Sequence, residues 1–129
     1  MKFKKGYKYQ LEEFYSVKMD LGRVHSSKYI SISPKRLQIH AGYAWDGPSG
    51  PVRDTKKTMR ASLIHDALYQ LLREVILMPS FKDQADQIFK QICIEDGVPR
   101  WRAHLYCLAL KKFGKPAADP KNRKEIYDW

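Results

Sequence analysis

The sequence is poor in cysteine and lacks long apolar runs. The first shortage argues against a protein held together by disulfides, and the second against a membrane-spanning protein. Cys93 and Cys107 are the only cysteines among 129 residues, and they form no C-x-x-C pair. Both fall within apolar helical patterns, which favours buried thiols in a reducing compartment over a disulfide or a metal pair. No run of eighteen apolar residues is present, so no segment is predicted to span a bilayer. The basic N-terminus is followed by no apolar run, so we expect no signal peptide.

Acidic residues are also few relative to basic ones. The chain has 14 Asp and Glu against 24 Lys and Arg, a formal net charge of +10. This excess favours an anionic partner such as phospholipid, nucleic acid or an acidic protein, and a merely solvated basic surface is an equally open interpretation. Hydrophobic residues at 43% and charged residues at 29% indicate a folded chain. The length predicts a single domain over residues 1–129, and the oligomeric state stays open.

The periodicity of the sequence divides the chain into two halves and predicts an α+β fold. Residues 1–45 are mainly β: residues 29–33 and 37–40 alternate polar and β-branched side chains around a turn at Pro34, and residues 10–19 form a weaker candidate strand. These segments predict a small N-terminal antiparallel sheet. Residues 46–54 form a Gly/Pro-rich loop, because the segment GYAWDGPSGP (42–51) contains three glycines and two prolines.

Residues 55–114 are predicted to form three helices, and residues 115–129 a tail. Asp54 or Thr55 caps the first helix, which runs to about Leu77 before Pro79. A capping box at residues 80–83 opens the second helix, which ends at Gly97. Pro99 suits the first turn of the third, which ends at Gly114. The short loop around Pro79 predicts that the first two helices are antiparallel neighbours. The third helix is predicted to bury an apolar stripe that consists of Trp101, Leu105, Leu108 and Ala109.

His65 and Asp66 on the predicted first helix are the clearest candidates for a functional role. His65 and Tyr69 are four residues apart and share a face, and Asp66 is turned away by about 100°. A histidine and an aspartate on an otherwise apolar helix are costly to bury without a purpose. If the first two helices pack antiparallel, Asp86 of the second can face His65. A carboxylate bonded to one ring nitrogen would fix the tautomer and leave the other nitrogen as a base. The alternative is that His65 and Asp66 only satisfy backbone groups of the loop.

The pattern His65-Asp66-x-x-Tyr69, followed by Asp86, resembles that of phospholipase A₂ enzymes, especially the parvovirus-capsid and prokaryotic forms. The resemblance covers about the middle third of the chain. It implies that His65 is the general base for water, that Asp86 orients His65 and that Tyr69 steadies Asp86. It further implies that Asp66 binds Ca²⁺ together with carbonyls of the upstream loop around Trp45 and Gly47. The cysteines that brace the helices of that family are absent here, where Ala61, Ser62 and Leu68 stand.

Two longer blocks, GYAWDGPSGP (42–51) and RASLIHDALY (60–69), look like those of a family of uncharacterised small bacteriophage and prophage proteins. That resemblance covers nearly the whole chain and implies a phage origin. The predicted locations are then the host bacterial cytoplasm, the phage virion, or both.

Three functions follow from these patterns as expectations. The first is a phage-encoded, calcium-assisted ester hydrolase of phospholipase A₂ type that works at an anionic phospholipid surface. The second is a non-enzymatic virion, tail or host-interaction protein whose partners are virion proteins, with nucleic acid also open. The third is a zinc-dependent cell-wall hydrolase, because His40 and Asp46 look like a contracted form of the zinc pattern of D-alanyl-D-alanine-type peptidases.

Overall fold

A computed structural model describes residues 3–5, 9–45, 55–114 and 118–119. These residues form short strands in the first part of the chain and three α-helices in the second. The strands and the helices belong to two different compact units. The predicted α+β class, with antiparallel strands followed by helices, is confirmed. The assignment of residues 1–129 to a single domain stays a prediction.

The described strands make two antiparallel sheets. Their bounds in chain order are β1 (Phe3–Lys5), β2 (Tyr9–Leu11), β3 (Tyr15–Lys18), β4 (His25–Ser26), β5 (Ile30–Ser33), β6 (Arg36–Ile39) and β7 (Ala44–Trp45). The first sheet has the order β1-β2-β7 and the second β3-β6-β5-β4. Where one sheet was expected, two are present, because the predicted strand at 10–19 is interrupted at the exposed residues 12–14 and contributes β2 and β3 to different sheets.

The hairpin of β5 and β6 follows directly from the alternation in its sequence. Ile30 pairs with Ile39 and Ile32 with Leu37, and all four side chains are buried on one face.

In the other sheet, Trp45 is buried and its ring lies 5.7 Å from that of Tyr9. Trp45 therefore belongs to a hydrophobic core, as expected for an aromatic residue within an apolar pattern.

The three helices are α1 (Lys56–Arg73), α2 (Lys82–Glu95) and α3 (Arg100–Phe113). Arg60 near the start of α1 donates to Asp96 just after α2, and Tyr69 near the end of α1 donates to Asp86 near the start of α2. The first two helices therefore run antiparallel, as predicted. Most of α1 is buried around its circumference, which is the pattern of a central helix. No helix of the described residues is long and apolar enough to cross a membrane.

The helix α1 ends earlier than the predicted residue Leu77. Val75 adopts φ +61°, and the amide N–H groups of Val75 and Ile76 donate to the carbonyl oxygens of Leu72 and Leu71. This is a Schellman ending with a valine at the position that glycine usually takes. Gly97 holds that position after α2, with φ +104°.

The predicted capping box at Ser80 is wrong. Residues Pro79–Phe81 form a 3₁₀ turn, and Phe81 becomes the N-cap of α2 without a side-chain hydrogen bond. The amide of Phe81 donates to the carbonyl of Met78, so the turn itself satisfies this first N–H group.

The predicted apolar stripe of α3 is not the buried one. Trp101, Leu105 and Leu108 are exposed, whereas α3 buries a different set of residues: Ala103, Tyr106, Cys107 and Leu110. Helical periodicity detects an apolar face but does not decide between two apolar faces on the same helix. The expectation that Cys93 and Cys107 are buried, unpaired thiols is confirmed.

Candidate active site

The centre of the candidate site is the side chain of Asp86, held between α1 and α2. Nε2 of His65 lies 2.8 Å from Oδ1 of Asp86, and the hydroxyl of Tyr69 donates to the same oxygen at 2.6 Å. The i, i+4 spacing of His65 and Tyr69 puts both on the face of α1 that meets α2. Asp86 is 0% exposed and His65 is 5% exposed. The antiparallel packing of two helices thus brings together the three residues that the sequence pattern singles out.

The second oxygen of this carboxylate is bound by a lysine. Nζ of Lys82 lies 2.8 Å from Oδ2 of Asp86 and also donates to the carbonyl oxygen of Leu110 at 3.1 Å. Lys82 and Asp86 are an i, i+4 pair on α2, and Leu110 lies on α3. The network of His65, Tyr69, Asp86 and Lys82 therefore connects all three helices.

The electrostatics of the network favour an anionic Asp86 beside a neutral His65. Burial alone would raise the pKa of Asp86, but the hydrogen bonds from His65, Lys82 and Tyr69 outweigh it and hold the pKa below its usual value. Burial lowers the pKa of His65 below 6.5, and the positive charge of Lys82 acts in the same direction against the raising effect of Asp86. Burial, together with the bond to Asp86, raises the pKa of Tyr69, so its hydroxyl remains a donor.

These protonation states fix the tautomer of His65. An anionic carboxylate only accepts hydrogen bonds, so Nε2 must carry the proton that faces Asp86. In a neutral ring, Nδ1 then has a free lone pair. Within the described residues, no hydrogen bond to Nδ1 is formed. Chemically, such an imidazole can accept a proton at Nδ1 while Asp86 stabilises the resulting imidazolium.

Neighbouring groups restrict the rings in this network. The His65 ring lies 4.0 Å from that of Tyr69 and makes an edge contact with Phe89 at 5.3 Å. Gly114 approaches from the end of α3: a Cβ atom there would lie 2.5 Å from the Tyr69 hydroxyl and 2.6 Å from the Leu110 carbonyl oxygen. Glycine is thus the residue that this close approach permits.

A cavity of about 470 Å³ adjoins the network in the helical unit. Lys82 is part of its wall, together with Leu72, Pro79, Asp83, Lys111, Ala118 and Asp119. The lysine that holds Asp86 therefore also borders a space large enough for part of a small molecule.

The three predicted calcium ligands fall in different parts of the chain. Asp66 is half-buried on α1, Trp45 lies in the sheet unit, and Gly47 is outside the described residues. Over 9–45, 55–114 and 118–119, no cluster of three or more His, Cys, Asp or Glu side chains could hold a metal ion. For the zinc interpretation, Nε2 of His40 bonds to the Ser31 hydroxyl at 2.9 Å, and Asp46 is outside the described residues.

Lys82 and Gly114 are the members of this site that the sequence pattern did not identify. The signal for Lys82 was present, because Lys82 precedes Asp86 by four residues on an amphipathic helix and this spacing pairs opposite charges. Gly114 was interpreted only as a helix stop. Its contact with Tyr69 depends on how α3 packs, which no local pattern encodes.

Comparison with known proteins identifies a family whose description states no activity. No curated protein and no solved structure matches the chain. Residues 24–110, which span more than half of the chain, match the family described as "Protein of unknown function (DUF1353)". This matched segment contains His65, Tyr69, Lys82 and Asp86. The chain therefore belongs to the DUF1353 family.

Proposed function

We propose that this protein is an ester hydrolase of phospholipase A₂ type in which His65 activates water. The observation that carries the proposal is the 2.8 Å contact between Nε2 of His65 and the buried carboxylate of Asp86. Hydrogen-bond contact between these two groups is the minimum that a His-Asp dyad requires. Tyr69 supports the dyad through its 2.6 Å bond to the same carboxylate oxygen.

In the proposed reaction, Nδ1 of His65 takes a proton from water as the water oxygen attacks the ester carbonyl carbon. Asp86 stabilises the imidazolium that forms. When the tetrahedral intermediate collapses, the bond to the alcohol oxygen breaks and the departing alkoxide takes the proton from Nδ1. The products are a carboxylic acid and an alcohol, and His65 returns to its neutral form.

Calcium belongs to the proposal through the resemblance to phospholipase A₂. A bound calcium ion would polarise the ester carbonyl and stabilise the oxyanion. Calcium sites use six to eight oxygen ligands. Of the proposed ligands, Asp66 is the one carboxylate and the one described member of the helical unit. A single described carboxylate falls short of that number, so no step of the reaction is assigned to the ion.

The test is fatty-acid release from diacyl phospholipid vesicles that contain anionic lipid, with and without a calcium chelator. We expect turnover by the wild type and its loss in His65→Gln and Asp86→Asn. His25→Gln, which removes a histidine in the strand β4, serves as the matched control and should retain activity. Loss of turnover with chelator or in Asp66→Asn would support the calcium requirement. Absence of turnover from the wild type in every condition would overturn the proposal.

A second candidate is a non-enzymatic protein, such as a phage virion, tail or host-interaction component. The observation in its favour is that Lys82 occupies the remaining oxygen of Asp86 and also binds Leu110, so the network links three helices without any ligand. In that case His65→Gln and Asp86→Asn lower the free energy of unfolding, and the folded wild type has no hydrolytic activity to lose.

A further inference from the structure

The helix α3 presents an apolar stripe to solvent. Trp101 is 63% exposed, Leu105 53% and Leu108 48%. Their spacing of i, i+4 and i+7 aligns them along one side of the helix. We call these three residues the α3 stripe. Single exposed apolar side chains are ordinary. Three that align on one helix, apart from its buried face, are typical of an interaction surface.

The charged residues on α3 itself are all basic. The helix carries Arg100, Arg102, Lys111 and Lys112 and has no aspartate or glutamate. At about 100° per residue, Arg100 and Lys111 flank the stripe on one side and Arg102 on the other. The ammonium group of Lys90 on α2 lies 3.3 Å from Nδ1 of His104 and adds a further cation near this face. The binding partner must therefore tolerate apolar insertion and carry negative charge.

We propose that the α3 stripe docks on an anionic phospholipid bilayer. A helix that lies in the plane of such a surface inserts Trp and Leu side chains at the acyl boundary while its Arg and Lys side chains meet the phosphates. Tryptophan is favoured at this depth because its ring is apolar and its N–H is polar. A second copy of the chain would bring the same cations against these ones. A nucleic acid would meet the cations but leave Leu105 and Leu108 without an apolar partner.

Docking through α3 would bring the Asp86 network close to the lipid surface. The opposite side of α3 reaches that network, since the Leu110 carbonyl accepts from Lys82. An α-helix with its side chains is about 10–12 Å across, so one helix diameter would separate the network from the interface. Membrane docking is a separate property from the proposed hydrolysis and does not depend on it, because binding requires no reaction at His65.

Sedimentation with vesicles of ether-linked lipids tests docking separately from hydrolysis, since these lipids contain no cleavable ester. We expect the wild type to bind vesicles of equal parts phosphatidylglycerol and phosphatidylcholine, and to bind pure phosphatidylcholine far more weakly. Leu105→Ser/Leu108→Ser should reduce binding by about tenfold or more. The matched control is Val24→Ser/Met78→Ser, which removes two apolar side chains that are 77% and 63% exposed elsewhere. This control should bind as the wild type does.

Fluorescence provides a second readout that needs only the conservative replacement of one aromatic side chain by another. Emission from Trp101, isolated as the difference between wild type and Trp101→Phe, should shift to the blue when anionic vesicles are added. An unshifted emission, or equal binding by the stripe variant and the wild type, overturns the proposal. So does a dimer in sedimentation equilibrium that Leu105→Ser/Leu108→Ser abolishes, because the stripe would then be a self-association surface. Stripe-dependent binding to an acidic peptide or an oligonucleotide without binding to vesicles also overturns it.

Discussion

The ammonium group of Lys82 lies 2.8 Å from Oδ2 of Asp86, on the carboxylate oxygen opposite the one that His65 and Tyr69 share. Its positive charge stabilises the carboxylate and at the same time opposes a second positive charge on His65. Lys82 thus helps to keep Asp86 anionic and, after the larger effect of burial, to keep His65 neutral.

Removal of this charge is expected to raise the pKa of His65. In Lys82→Met the repulsion is lost while the hydrogen bond from Nε2 to Asp86 remains, so the imidazolium becomes easier to form. NMR titration of the His65 ring signals measures the shift. Lys111→Met is the matched control, because Lys111 borders the same cavity but does not contribute to the pKa of His65. An unchanged pKa in Lys82→Met would show that this charge does not act on the dyad.

Acid is expected to destabilise the protein from just below pH 6.5 downward. The pKa of His65 is lowered in the folded state, so the unfolded chain takes up the proton at a higher pH than the folded chain. Stability from His65 is therefore fully present above 6.5 and is lost as the pH falls towards the folded pKa. Asp86, whose pKa is also lowered, adds a loss of the same sign below its ordinary value of 3.8.

Urea unfolding midpoints over this pH range measure the effect. In His65→Gln the decline that begins below 6.5 should flatten, while the Asp86 decline at lower pH persists. His104→Gln, at an exposed position of α3, should retain the full decline. Identical pH profiles for wild type and His65→Gln would contradict the burial of a neutral His65.

The Tyr69 hydroxyl is expected to contribute to stability as a donor to a charged group. Tyr69→Phe removes its 2.6 Å bond to Asp86 and should lower the free energy of unfolding by about 1.5–3 kcal/mol. Tyr106→Phe is the control, since Tyr106 is also buried but its hydroxyl makes no hydrogen bond within the described residues. That change should stay within about 0.5 kcal/mol. Equal losses in the two variants would indicate that packing, not the bond to Asp86, accounts for the effect.

Val75→Gly is expected to stabilise the helical unit. Val75 is 59% exposed and has φ +61°, a conformation that is unfavourable for a β-branched residue and ordinary for glycine. Relief of about 1–2 kcal/mol of left-handed strain exceeds the greater entropy loss of glycine, about 0.5–1 kcal/mol. Thermal or urea unfolding measures the gain. Val24→Gly, at an exposed position without positive φ, should instead be neutral or destabilising. A loss of stability in Val75→Gly would show that the backbone at Val75 is not strained.

The sequence predicted those parts of the fold and site that depend on local periodicity. Alternation identified the β5–β6 hairpin, and the i, i+4 pair of His65 and Tyr69, with a short loop before Asp86, predicted that the three would meet. The end of α1 at Arg73 was not predicted, because the residue with positive φ that follows it is Val75, and valine rarely adopts that conformation. The exposure of Trp101 was not predicted either. Choosing between the two apolar faces of α3 requires knowing which one α2 covers.

The pH dependence of ester hydrolysis, compared between wild type and Lys82→Met, tests the central claim most directly. If neutral His65 is the base, the wild-type kcat/KM falls on the acid side with the lowered pKa that NMR reports for His65. In Lys82→Met this acid limb should move to higher pH by the same amount as the NMR titration. Hydrolysis with an acid limb that does not move, or no hydrolysis at any pH by folded wild-type protein, would contradict the account.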